Sequence, residues 1–129
     1  MYEEGERIMW LALSDGWLSI VAHRDKPDHL LVRARNKNHI ESYFPDEDLY
    51  VIGDADYPFR ADVLRQDVAL LLMSYLQDMD YPNYKNSVDD DELRKSLMGV
   101  WTEMAHYGDK YRPVRNTTHN DEEFYSWGY

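Results

Sequence analysis

Asp54-Ala55-Asp56-Tyr57-Pro58-Phe59-Arg60 is the stretch whose reading decides the fold. An apolar run at residues 49–52 leads into it. Beyond it the chain alternates, with Phe59, Ala61 and Val63 on one side and Arg60 and Asp62 on the other. A period of two marks a half-buried strand, so the stretch reads as the connection between two paired strands. Pro58 takes the first position of the second strand, where its missing N–H does least damage. Asp56 is expected to accept backbone N–H groups in the turn. Asp54 and Asp56 also offer hard oxygen ligands, but two carboxylates near a turn, with no glutamate at a fixed spacing, make no cation cage. The aspartates therefore hold a bend, and Arg60 is the residue of the stretch aimed at function.

Toward the N terminus, apolar, branched and aromatic residues flank Ser14-Asp15-Gly16 on both sides. This is a second hairpin signal, with Asp-Gly expected to supply the φ > 0 positions of a tight turn. Residues 24–28, with Pro27 inside, read as a loop. Residues 30–35 then alternate, Leu30, Val32 and Ala34 against Leu31, Arg33 and Arg35. Asn36 or Asn38 can cap a short helix that buries Ile40, Tyr43 and Phe44 and stops at Pro45.

Toward the C terminus the period becomes helical at about Arg65. Val68, Leu71, Leu72, Tyr75 and Met79 fall at i, i+3, i+4, i+7 and i+11, a core-facing stripe. Pro82 disfavours helical geometry at Tyr81, so this helix ends near Met79 or Asp80. Asp80-Tyr81-Pro82 repeats the Asp-Tyr-Pro of the central stretch and is expected to open a helical turn with Pro82 at its first position. Asp89-Asp90-Asp91-Glu92 places negative charge at the positive end of a last helix. Its apolar stripe is Leu93, Leu97, Val100, Trp101 and Met104, and Gly108 stops it.

The order β-β-β-α-β-β-α-α predicts a single α+β domain: a mainly antiparallel sheet of about five strands with about three helices on one face. Residues 1–8 read as a flexible extension, 9–108 as the α+β domain and 109–129 as an acidic, aromatic C-terminal tail. A chain of 129 residues is long enough for one core. No apolar run approaches the roughly 20 residues that cross a bilayer, and the acidic opening residues do not resemble a signal peptide. Cysteine is absent, which excludes disulfides and thiolate chemistry and fits a cytoplasmic location. The net charge of −11 is uneven: residues 1–43 carry seven acidic and six basic side chains (−1), residues 44–129 eighteen and eight (−10). Such a field disfavours nucleic acid and anionic lipid and serves solubility, or favours a partner with a basic surface such as a host protein.

Met9-Trp10, Asp15-Gly16 followed by Trp17-Leu18-Ser19-Ile20-Val21, Leu31-Val32-Arg33-Ala34-Arg35, the central stretch, Asp80-Tyr81-Pro82-Asn83-Tyr84-Lys85 and Val100-Trp101 occur in this order. Together they resemble a family of small uncharacterised proteins of bacteria and their phages, over roughly residues 9–107. The resemblance implies no activity; occurrence in phages or mobile elements would imply a host-modulating role.

No catalytic constellation, metal set or cofactor motif is predicted. Ser14-Asp15-Gly16 lacks the Gly-x-Ser-x-Gly pattern of a nucleophile elbow, and no glycine-rich phosphate loop exists. His23, His29 and His39 are spaced too widely for a paired zinc motif. The ligand-binding candidates are Arg33, Arg35 and Arg60 on the polar face of the sheet, flanked by Arg24, Lys26 and Lys37, with His23 or Trp17 available for stacking. The alternative for that face is cross-strand pairing with Asp62 and other local acids. The partner-binding candidates are Phe124, Tyr125, Trp127 and Tyr129 in the tail, which is expected either to dock on a partner's basic groove or to fold back over an apolar groove of its own domain. The leading functional reading is a non-enzymatic interaction protein, a phage or mobile-element factor that inhibits or modulates a host defence protein through its acidic surface. The alternative is a nucleotide- or nucleic-acid-binding domain that uses the arginine face.

Overall fold

Strands form where the sequence alternates or runs apolar with branched and aromatic residues. They are β1 (Met9–Leu13), β2 (Gly16–Ala22), β3 (His29–Ala34), β4 (Tyr50–Val51) and β5 (Phe59–Leu64). A computed structural model describes residues 8–113 of the chain. The strands make one antiparallel sheet in the order β1-β2-β3-β5-β4. With its helices this is the α+β class expected from the sequence. Two compact units divide the chain, Met1–Met79 and Asp80–Tyr129.

In the first unit, α1 (Lys37–Glu41) and α2 (Arg65–Asp78) cover one face of the sheet. Leu18, Val32, Ala34, Ile40, Ala61 and Val63 are fully buried there, joined by Val68, Leu71 and Leu72 of α2. Asn36 caps α1, its side chain accepting the Asn38 N–H at 3.0 Å. Met79, placed on the core stripe by spacing alone, is exposed instead, because α2 ends at Asp78.

The first hairpin corrects the sequence expectation by one residue. Leu13 pairs with Gly16, so the loop is Ser14-Asp15 and Gly16 already belongs to β2. Gly16 does not adopt a left-handed φ. It is needed for space: a Cβ there would lie 2.8 Å from the Cβ of His39 on α1. Two tyrosine hydroxyls satisfy the loop. Tyr75 accepts the Ser14 N–H at 3.1 Å and Tyr43 accepts the Asp15 N–H at 2.9 Å.

In the second unit, α3 (Tyr84–Ser87) is a single turn and α4 (Asp91–Asp109) is long. Asn83 stands at the N-cap of α3, so Pro82 precedes the cap rather than opening the helix. Asp90 caps α4 by accepting the N–H groups of Glu92 and Leu93. Leu93 and Leu97 are buried on α4, whereas Val100 and Met104 of the same stripe are exposed.

Candidate functional site

The polar face of the sheet is set by register. Trp10 on β1 pairs with Ser19 on β2, Ser19 with Arg33 on β3, Arg33 with Arg60 on β5, and Arg60 with Tyr50 on β4. One row of side chains thus crosses all five strands, with the two arginines directly opposed at its centre. The next row on this face is Val21, Leu31 and Asp62.

A cavity of about 420 Å³ opens on these two rows, lined by Val21, His23, Arg24, Asp25, Leu31, Arg33, Tyr50 and Arg60. Val21 and Leu31 give it an apolar floor. Arg33 and Arg60 stand at one end. His23, Arg24 and Asp25 stand at the other, His23 four residues beyond Ser19 and hence roughly 13 Å along the strand. Of the residues singled out from sequence, the fold therefore gathers Arg33, Arg60 and His23.

The rim of the cavity is held rigidly. Nδ1 of His23 accepts the backbone N–H groups of Asp25 and Lys26, both at 3.1 Å, so its other ring nitrogen carries the proton. That Nε2 donates to Asp62 at 3.1 Å. Lys26 Nζ reaches the same carboxylate oxygen at 3.0 Å, and the Tyr50 hydroxyl donates to the other oxygen at 2.8 Å. Arg65 at the start of α2 closes the loop from behind, donating to the carbonyls of Pro27 and Asp28, both at 2.9 Å.

Asp62 is the hub of this network. Burial alone would raise its carboxyl, but the hydrogen bonds from Tyr50, Lys26 and His23 outweigh that and hold it below its ordinary value. Burial pushes the Tyr50 hydroxyl up, and its bond to Asp62 adds to the shift, to about 12. Tyr50 thus stays a hydrogen-bond donor at neutral pH, and the bond spans from β4 to β5.

The arginines are held differently. Arg33 donates to Ser19 Oγ at 2.8 Å and lies 4.9 Å from the centre of the Tyr57 ring. Arg60 donates through Nε to the Tyr57 carbonyl at 3.1 Å and pairs with no carboxylate among the described residues. Asp62, the acid expected to neutralise this face, is taken up by Lys26, His23 and Tyr50. Like charges directly opposite on neighbouring strands are unfavourable, so the centre of the row favours an anion.

Arg35 departs from the expectation. Its guanidinium stacks over Tyr57 at 4.2 Å and bonds both oxygens of Asp56 at 3.2 Å, and it does not line the cavity. Asp56 thereby acts as an ion-pair partner, not as the acceptor of turn amides. Trp17 is turned to Trp10, with ring centres 5.5 Å apart, and is outside the lining as well. Lys37 pairs with Glu41 along α1. Among the described residues no group of three or more His, Asp or Glu side chains is placed to hold a metal ion. No helix among them is long and apolar enough to cross a membrane. Phe124, Tyr125, Trp127 and Tyr129 lie outside the described residues.

Tyr50 and Tyr57 are the site residues that sequence reasoning missed. Tyr57 is buried beneath two guanidinium groups although it sits in a turn motif. Tyr50 faces Arg60 only in the observed register, and the long connection between their strands leaves that register undefined by turn chemistry. The chain matches no protein-family model, no curated protein and no solved structure.

Proposed function

We propose that this protein is a binding module for a small anionic ligand, held through a phosphate or carboxylate group at Arg33 and Arg60. The observation that carries this reading is the direct cross-strand pairing of two arginines inside one cavity, with Arg60 facing no carboxylate among the described residues. Guanidinium groups recognise such oxyanions by paired, charge-assisted hydrogen bonds. The cavity falls in the size range of small-molecule sites, and its lining, mostly charged and polar around the two apolar residues Val21 and Leu31, suits a charged ligand better than an apolar one. The strongly bound rim costs little further ordering when a ligand arrives.

Thermal unfolding in inorganic phosphate tests the reading. A ligand that binds only the folded state raises the midpoint by an amount that grows with the logarithm of its concentration once that exceeds the Kd. The wild type should gain more from phosphate than from chloride at equal ionic strength, and the double variant Arg33→Ala/Arg60→Ala should lose that difference. Equal effects of the two salts on the wild type would sink the proposal.

A second reading, a factor of phage or mobile-element origin that engages a host protein, is favoured by a separate observation. Leu70, Met73 and Leu76 on α2, and Val100, Met104 and Tyr107 on α4, are exposed apolar side chains. Contact through them would survive high salt and be lost on Leu70→Glu/Leu76→Glu. Contact through the acidic surface would weaken steeply with salt.

A further inference from the structure

The cavity is larger than one phosphate needs, and its two ends differ. At the strand end Arg33 and Arg60 stand side by side. At the loop end Arg24 and Asp25 carry opposite charges, beside a His23 ring whose nitrogens are engaged by Asp25, Lys26 and Asp62. Among the lining residues the one carboxylate, Asp25, thus stands at the loop end, and the strand end holds arginines alone. Between the ends lies the apolar strip of Val21 and Leu31. Tyr50 borders that strip, its ring fixed at two points: the backbone of β4, paired with β5 beside Arg60, and the hydroxyl bond to Asp62.

From this we infer that the cavity takes a nucleoside monophosphate, with the phosphate on Arg33 and Arg60 and the base over Val21 and Leu31 against Tyr50. This rests on the anion-binding reading above and names its ligand. A ligand with one anionic head and a flat, uncharged body matches the polarity of the site. A ligand with anionic groups at both ends would set one of them against Asp25. The Asp25 carboxylate, which has no side-chain partner among the described residues, can accept from an exocyclic amine of the base. A nucleic-acid polymer is disfavoured, because its many phosphates would meet the field of a chain with net charge −11.

Calorimetric titration of the full chain with four probes tests the assignment: inorganic phosphate, ribose 5-phosphate, adenosine and adenosine 5′-monophosphate. Stacking of a base on an aromatic ring is worth about tenfold in affinity, so the monophosphate should bind about tenfold more tightly than ribose 5-phosphate, and phosphate alone most weakly. Tyr50→Ala should bring the monophosphate down to the level of ribose 5-phosphate and leave phosphate unchanged, while Tyr50→Phe should keep the preference. Arg60→Ala, on a separate strand, should weaken all three phosphate-bearing probes together. Equal binding of monophosphate and ribose 5-phosphate by the wild type would overturn the ligand assignment and leave the anion site standing. Absence of binding by every phosphate-bearing probe would remove both. A single-stranded oligonucleotide bound more tightly than the monophosphate would overturn the mononucleotide in favour of the polymer.

Discussion

Val32 and Arg33 are neighbours on β3, yet they belong to faces of the sheet that are put together in opposite ways. On Val32's side the core is a cluster of apolar side chains and α1 and α2 supply the cover. Apolar burial is the main source of stability on that face. On Arg33's side an acid is consumed by three donors while two arginines oppose each other across the ladder. The first face is arranged for stability. The second sets two arginines opposite each other across the ladder while Asp62 is committed to His23, Lys26 and Tyr50. A protein retains such an arrangement at a site, where local rules are given up for a ligand. Four measurements sharpen or break this contrast.

The largest effect belongs to the apolar face. Leu18 has no exposure, and Leu18→Ala should cost about 2–5 kcal/mol of unfolding free energy in urea melts. Leu31→Ala, a truncation of a partly buried residue on the polar face, should cost less than Leu18→Ala, since part of the side chain was never removed from water and the space it leaves opens into the cavity. Equal costs would mean that both faces are core, and the distinction would fail.

Gly16→Ala probes the border of the apolar face. A Cβ at 2.8 Å from His39 Cβ forces α1 or the hairpin to shift, with an expected loss of about 1–3 kcal/mol. The sequence pointed to the right hairpin here and to the wrong cause. Asp-Gly is a turn signal, but the loop sits one residue earlier because Tyr75 and Tyr43, distant in sequence, satisfy the amides of Ser14 and Asp15. The central strands were legible because their alternation is local: residues 30–35 and 59–63 each assign their own faces. That sufficed to place Arg33 and Arg60 on one face, and to put Arg35 with them. It could not show that Asp56 removes Arg35 from the cavity, or that Tyr50 lies beside Arg60. Those are facts of tertiary register and of a turn folded back on β3, which no local pattern encodes.

Asp62→Asn tests whether the acid of the polar face belongs to the rim. Replacing a carboxylate that accepts from three donors should cost about 1–2 kcal/mol at pH 7, reduced by the exposure of Lys26. The carboxyl lies below its ordinary 3.8 in the folded state, so its contribution is present above that value and is lost as pH falls through the lower, folded one. The stability gap between wild type and variant should thus be level from pH 7 to about pH 5 and close below about pH 4. A gap that failed to close at about pH 3 and below would show that Asp62 is not held as the charged hub.

The smallest expected effect is the most telling. Arg60 is half-buried, donates one hydrogen bond to the Tyr57 carbonyl and faces Arg33 across the ladder. Arg60→Ala gives up that bond, a cost of about 0.5–1.5 kcal/mol, and relieves the repulsion between the two guanidinium groups, a gain of similar size. Unfolding free energy should therefore change by no more than about 0.5 kcal/mol, and the dependence of stability on salt should weaken, because added salt no longer screens an opposed charge pair. A structural arginine would behave in the opposite way, its removal destabilising the fold at every ionic strength. A side chain that can be deleted from the middle of a sheet without loss, while phosphate binding disappears with it, is present for its ligand and not for the fold.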